Sequence, residues 1–297
     1  MCGGRYEILE PVGSGGWGTV YKAHDAQLNR LVAVKRLKGD PANHGAIDPE
    51  EEQKLLNEAS LTGAVQHPNV VAVYDGGTDD KGAYLVMEYV DGETVSEIIK
   101  RGTLTIQDFI GITTQTLEGL IAAHEMGLIH RDLKPSNVIV SWLPSGTYQV
   151  KILDFGMAKY SPTPTQQTED QNQAIFGTIH FMAPEQFNRQ PLDMRTDLYA
   201  LGCILYYGLA GMLPFQGDDP AAIMKAHLQG RVIPVHYVRR DLPQSLGEWL
   251  MRLLARDTAE RPRSASDALD DFNLSQTLPP RSPEKEEDLS ITFQRAV

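Results

Sequence analysis

Gly13-Ser14-Gly15-Gly16-Trp17-Gly18 has the spacing G-x-G-x-x-G, and the residues after it decide what this chain can fold into. In a dinucleotide-binding unit the last glycine opens a helix. Here it opens Thr19-Val20-Tyr21-Lys22-Ala23, a β-branched alternating run, and Leu31-Val32-Ala33-Val34-Lys35 is a second. Joined by His24 to Arg30, the two runs predict a hairpin where the dinucleotide fold needs a helix. Further on, Ala83 to Val90 reads as a buried strand leading to Asp91-Gly92. Val138-Ile139-Val140 and Val150-Lys151-Ile152-Leu153 are short strands around a turn at 141–147.

Helices announce themselves by their caps. Asp48-Pro49 followed by Glu50, Glu51 and Glu52 starts one that runs to about Val65. Thr105, with Asp108 at the reciprocal position, starts another. Its apolar stripe is Phe109, Ile112, Thr116, Leu117, Leu120 and Ile121, and Gly127 ends it. Three more are expected over 220–228, 246–254 and 264–272, the last capped by Ser264.

A chain of 297 residues can bury a large core in one or two domains. Its net charge of -12 argues against nucleic acid as a partner, since such proteins show a basic face. Two cysteines, Cys2 in a frayed terminus and Cys203 in an apolar run, make a disulfide framework unexpected and fit a reducing compartment. No apolar stretch reaches membrane-spanning length, and the first residues carry neither a signal-peptide core nor a myristoylation signal. Cytoplasmic localisation without stable membrane insertion is the expectation.

The chemistry concentrates in His130-Arg131-Asp132-Leu133-Lys134-Pro135-Ser136-Asn137 and in Asp154-Phe155-Gly156. An aspartate able to accept a hydroxyl proton, a nearby lysine, and two hard oxygen donors are what phosphoryl transfer requires. At these residues the chain resembles the protein kinase superfamily, from about Tyr6 to Phe272. Lys134-Pro135 is similar to the serine/threonine class. Ala183-Pro184-Glu185-Gln186, Asp197 to Gly202 and Leu213-Pro214-Phe215 resemble the eukaryotic-like kinases of bacteria.

The resemblance implies an α+β, bilobal fold. It has a small antiparallel N-lobe over 1–87 with one main helix, a hinge at 88–92 and a mainly helical C-lobe over 93–273; the change of composition after Asn273 makes 274–297 an expected disordered tail. It implies ATP and magnesium, with manganese as an alternative, and protein substrates. Val12, Gly13, Ser14, Gly15, Gly16, Trp17 and Gly18 would cover the phosphates. Val20 and Ala33 would sandwich the adenine, Met87 would gate the pocket behind it, and the backbone of Glu88 and Val90 would bond its edge. Asp91 or Glu93 would reach the ribose. Lys35 would contact the α- and β-phosphates, paired with Glu58, which lies nine residues before His67-Pro68-Asn69. Asp132 would be the base, Lys134 would meet the γ-phosphate, and Asn137 and Asp154 would hold the metal. Thr178 would contact Asp132 and Lys134.

Structural roles are implied as well. His130 packs under Phe155, Asp197 anchors the catalytic loop, and Glu185 pairs with Arg261. Arg131 implies an activation segment ordered by an anion, with Ser161, Thr163, Thr165 and Thr168 as phosphoacceptors and a transient dimer for modification in trans. Glu169 and Asp170 either stand in part for phosphate or are a solvated acidic loop. Met157 implies a preference for serine over threonine. Two rival readings are a scaffold that keeps the fold without chemistry and a small-molecule kinase. The first sits badly with Lys35, Asp132, Asn137 and Asp154 all being present, the second with the Ala183-Pro184-Glu185 segment. Residues 277–288 are proline-rich and charged, with little to bury.

Overall fold

The computed structural model describes residues 1–15, 18–37, 63–155 and 177–277. The helix expected over 48–65 lies almost wholly outside them, as do Gly16, Trp17, Glu58, the segment from Gly156 to Phe176 and the tail from 278.

The molecule is bilobal. In the smaller lobe β1 (Tyr6–Gly15), β2 (Gly18–Asp25), β3 (Arg30–Leu37), β4 (Val73–Asp79) and β5 (Gly82–Glu88) form an antiparallel sheet in the order β1-β2-β3-β5-β4. The glycine run spans the end of the first hairpin's ladder, where Gly15 lies opposite Gly18. Alternation works as expected on β3, whose side chains supply two separate apolar clusters. Val32 and Val34 pack with Tyr6, Ala23, Tyr84 and Val86 on the outer face. Ala33 faces the other way, beside Met87 across the strand pair.

Cys2 is not in a frayed terminus. It is fully buried in the outer cluster, and its N–H donates to Tyr6 O at 2.7 Å. The chain doubles back through Gly3 and Gly4, both at positive φ, a bend that a Cβ would oppose. Gly3 N–H then donates to Asp79 Oδ2 at 3.2 Å.

In the larger lobe a small sheet of β6 (Glu93–Thr94), β7 (Val138–Trp142) and β8 (Tyr148–Ile152) lies beside the helices. The turn is shorter than expected because Trp142 pairs with Tyr148 across the hairpin, their rings T-shaped at 5.3 Å. The helices are α1 (Val95–Arg101), α2 (Ile106–Glu125), α3 (Pro184–Phe187), α4 (Met194–Ala210), α5 (Pro220–Gln229), α6 (Val235–Val238), α7 (Gln244–Leu253) and α8 (Ala265–Thr277). Thr105 caps α2 as expected, its Oγ1 accepting from Asp108 N–H at 3.0 Å.

Helix α4 is buried on every side, from Thr196 to Leu209 with little interruption, so it forms the axis on which the lobe is assembled. Helix α8 closes the lobe: Phe272 meets Phe109 and Trp249, and Trp249 Nε1 donates to Ala268 O at 2.9 Å. It also corrects the tail boundary. Residues 274–277 are helical because Ser275 is buried, its carbonyl accepting from Ser245 Oγ at 2.6 Å. No helix among the described residues is long and apolar enough to cross a membrane. Both cysteines are free.

Candidate active site

Asp197, in the first turn of α4, is wholly buried and has three donors. His130 N–H and His124 Nε2 reach Oδ2 at 2.8 Å each, and Arg131 N–H reaches Oδ1 at 2.8 Å. Burial would raise the Asp197 pKa, but the hydrogen bond from His124 and the nearby imidazoles hold it below the ordinary value. This carboxylate fixes the loop in which Arg131 takes φ 67°, a left-handed backbone that a non-glycine residue adopts at a cost of about 1–2 kcal/mol. His130 locks the next link. Its Nδ1 accepts from Asp132 N–H at 3.3 Å, so Nε2 carries the proton that goes to Leu153 O at 2.7 Å. Its ring lies 4.9 Å from that of Phe155, the packing expected from the sequence.

The loop thereby holds Asp132 with its two oxygens in unlike surroundings. Oδ2 accepts from Lys134 Nζ at 2.8 Å. Oδ1 is buried and has no hydrogen-bond partner among the described residues. Lys134 Nζ also donates to Thr178 Oγ1 at 3.1 Å, so Thr178 is linked to Asp132 through the lysine. Asn137 donates from Nδ2 to Asp132 O at 3.0 Å, and among the described residues its Oδ1 has only Ser136 Oγ, at 3.5 Å.

Asp154 also sits at positive φ, 59°, and its Oδ2 lies 2.7 Å from Lys35 Nζ. Burial would raise its pKa, but the Lys35 ammonium outweighs that and keeps the carboxyl ionised below the usual range. Glu58 lies outside the described residues. The donor types suit a hard cation: two side-chain oxygens, one on an ionised carboxylate and one on an amide.

Leu153, next to Asp154, belongs to an apolar cluster on the inner side of the smaller lobe's sheet. Ala33, Val71, Leu85 and Met87 are its buried members, and Val20, Val73, Tyr89, Val90 and Leu153 pack against them. The structure thus brings Val20, Ala33, Met87 and Val90 together and adds five residues the sequence did not single out. Leu153 had a visible signal, since it directly precedes Asp154 in a β run; Val71 had none. Val12, Gly13 and Ser14 are exposed on β1 at the hairpin's end. Glu88 turns its side chain away, accepting from Lys151 Nζ at 2.9 Å, while its N–H donates to Ala72 O at 2.8 Å. Of the two ribose candidates, Glu93 is engaged by Arg101, whose Nη2 lies 2.8 Å from Oε2.

The anchor at the end of the activation segment is as expected. Arg261 holds Glu185 through two bonds, at 2.7 and 2.9 Å, and both residues are buried. Arg131 Nε is buried without a hydrogen-bond partner among the described residues. A cavity of about 520 Å³ opens between Pro184, Leu228 and Arg256, but it shares no lining with the Asp132 site.

The protein kinase domain family matches residues 6–272. A probable serine/threonine-protein kinase of Clostridium perfringens is 38% identical over 273 residues, covering 92% of this chain and 38% of the relative. Serine/threonine-protein kinase PknB of Mycobacterium tuberculosis is 35% identical over 285 residues, covering 94% of this chain and 44% of its own. Among solved structures, the PknI kinase domain of Mycobacterium tuberculosis aligns with TM-score 0.68 at 26% identity, covering 93% of this chain and 97% of that one. Rad53 in complex with AMP-PNP aligns with TM-score 0.72 at 26% identity, covering 90% and 64%. The chain spans about two fifths of the length of the curated relatives it matches.

Proposed function

The chain belongs to the protein kinase family, of the serine/threonine class, and from that premise we propose that it transfers the γ-phosphoryl group of ATP to serine or threonine hydroxyls of proteins. The observation that carries this reading is the asymmetry of Asp132. One oxygen is occupied by Lys134, and the other, which has no hydrogen-bond partner among the described residues, would accept the proton of an incoming hydroxyl. Lys134 stands between that base and Thr178, where it can neutralise charge on the departing phosphoryl group while Thr178 steadies it. Val20, Ala33, Met87 and Val90 form the apolar bed for adenine, supported by the alignment with a protein crystallised with AMP-PNP. Lys35 is held at the cleft by Asp154 and serves the inner phosphates.

Asn137 and Asp154 would hold magnesium or manganese, which when bound neutralises the triphosphate and spreads the developing charge. The apolar bed, the lysines and the base together exclude water and align the hydroxyl. Autophosphorylation of the activation segment, through a transient dimer, is part of the same reading. Its support is Arg131 Nε, a buried donor of fixed charge with no partner among the described residues. Transfer of labelled γ-phosphate to a basic protein, wild type against Asp132→Asn, tests the proposal. The substitution is expected to lower turnover by about 10²- to 10⁴-fold at unchanged ATP affinity. Equal turnover in the two proteins would remove Asp132 as the base, and no transfer by either would favour a scaffold.

A further inference from the structure

Gln186 lies on α3, just past the buried Glu185, and its amide is engaged at both ends. Oε1 accepts from Ala183 N–H at 2.8 Å, capping its own helix. Nε2 donates to Arg131 O at 2.9 Å, across 55 residues of sequence. The two bonds fix the orientation of the amide, because the flipped form would set oxygen against oxygen and N–H against N–H.

Arg131 O belongs to the peptide that leads into Asp132. The other end of that peptide, Asp132 N–H, is held by His130 Nδ1 at 3.3 Å. The preceding peptide is held by Asp197 through Arg131 N–H at 2.8 Å. Arg131 itself is at φ 67°, a conformation that persists only where the surroundings over-determine it. Asp197 and His130 supply three of the restraints, all from the core of the large lobe. The fourth comes from Gln186, at the C-terminal end of the activation segment.

We propose that Gln186 is a positioning residue for the catalytic base. Through the Arg131 carbonyl it ties the docking of the activation segment's final helix to the orientation of the Asp132 carboxylate. When α3 is seated, with Glu185 on Arg261, the Gln186 amide completes the restraint on the 131–132 peptide. When α3 lifts, that peptide regains a degree of freedom next to the group that must receive the proton. The proposal rests on Asp132 acting as the base, and it adds a residue that touches neither nucleotide nor acceptor.

The test exploits the two ends of the amide. Gln186→Glu keeps the acceptor for Ala183 N–H but replaces the donor to Arg131 O with a carboxylate oxygen that repels it. Gln186→Met removes both bonds at nearly constant volume. Gln186→Glu is expected to keep the thermal midpoint and the KM values for ATP and peptide. Its kcat should fall by about tenfold or more. Amide hydrogen exchange across residues 128–137 should quicken in both variants, a readout that does not depend on activity. In an Asp132→Asn background, Gln186→Glu should cause no further loss, because the group through which it acts is gone.

Wild-type kcat and wild-type exchange in both folded variants would overturn the proposal. So would an equal loss in the Asp132→Asn background, which would mean that Gln186 acts elsewhere. If the wild-type protein transfers no phosphate, the reading of Asp132 fails, and the exchange measurement alone decides whether Gln186 restrains the loop.

Discussion

Two carboxylate–cation pairs, one at the floor of the large lobe and one at the cleft, are built on opposite plans. At the floor, Glu185 and Arg261 are both buried, and every strong donor of the guanidinium is engaged. Beyond the two bonds to Glu185, Arg261 donates to Ala255 O at 2.8 Å and to Arg195 O at 3.0 Å. Glu185 takes a further bond from Thr196 Oγ1 at 2.9 Å. At the cleft, among the described residues, Lys35 meets Asp154 through one contact of 2.7 Å, and the aspartate side chain keeps 24% of its exposure on a left-handed backbone. A saturated pair can only hold. An unsaturated one keeps oxygens and a charge available for something that arrives later, at the cost of local stability.

The largest effect is expected at the floor. Glu185→Gln leaves the Arg261 charge buried without its counter-charge and should cost about 3–5 kcal/mol, read by chemical denaturation. The gap has a definite pH dependence. Burial raises the Glu185 pKa, but Arg261 prevails and depresses it in the folded state below the ordinary 4.5. A depressed folded pKa means that the ionised side chain contributes in full above 4.5, and the contribution fades as pH falls through the folded value. Wild type and variant should therefore differ fully at neutral pH and converge below about 4.5. A gap that stays constant down to pH 3 would contradict the saturated-pair account.

Asp154→Asn should do the reverse. Asparagine tolerates the left-handed backbone and keeps an oxygen toward Lys35, so a stability loss of only about 1 kcal/mol is expected. Phosphoryl transfer should nevertheless drop by about 10²- to 10³-fold, because the side chain that would hold the divalent cation has lost its charge. Paired thermal melts and γ-phosphate transfer assays separate the two effects. A variant that unfolds as readily as Glu185→Gln would erase the distinction between the two plans.

The difference also explains what was legible in the sequence. Local signals wrote the strands and helices: the alternation in β3, the Thr105–Asp108 cap, and Pro220 at the start of α5 depend on neighbours a few residues away. The motif around Asp132 was legible because its spacing is itself the chemistry. Asp197 and Glu185 were reached through the family resemblance, since their partners lie 66 and 76 residues away. What stayed hidden was tertiary in origin. Cys2 is buried because a strand dozens of residues later offers Asp79 to the returning chain, and α8 outlasts its expected end because Ser245 reaches Ser275. The Gln186 bond to Arg131 belongs to the same class: a glutamine after Pro184-Glu185 has no periodicity to betray it.

A third pair, Lys151 with Glu88, lies between the two plans and supplies the smallest test. It ties the last residue of β5 to β8 in the large lobe through one bond of 2.9 Å. The glutamate side chain retains 26% exposure, and its only other donor among the described residues is Ala72 N–H at 3.4 Å. Lys151→Met leaves a carboxylate that water can reach, so the penalty for an unpaired buried charge does not apply, and about 1 kcal/mol is expected. Transfer activity should change less than twofold or so, because neither residue contacts the Asp132 site. If saturation is the variable that matters, the stability costs should fall in the order Glu185→Gln, then Asp154→Asn and Lys151→Met together, whatever the distance of each pair from the cleft. A loss of about 3 kcal/mol at Lys151 would show that bridging the lobes, rather than completing a carboxylate's hydrogen bonds, sets what a pair is worth in this fold.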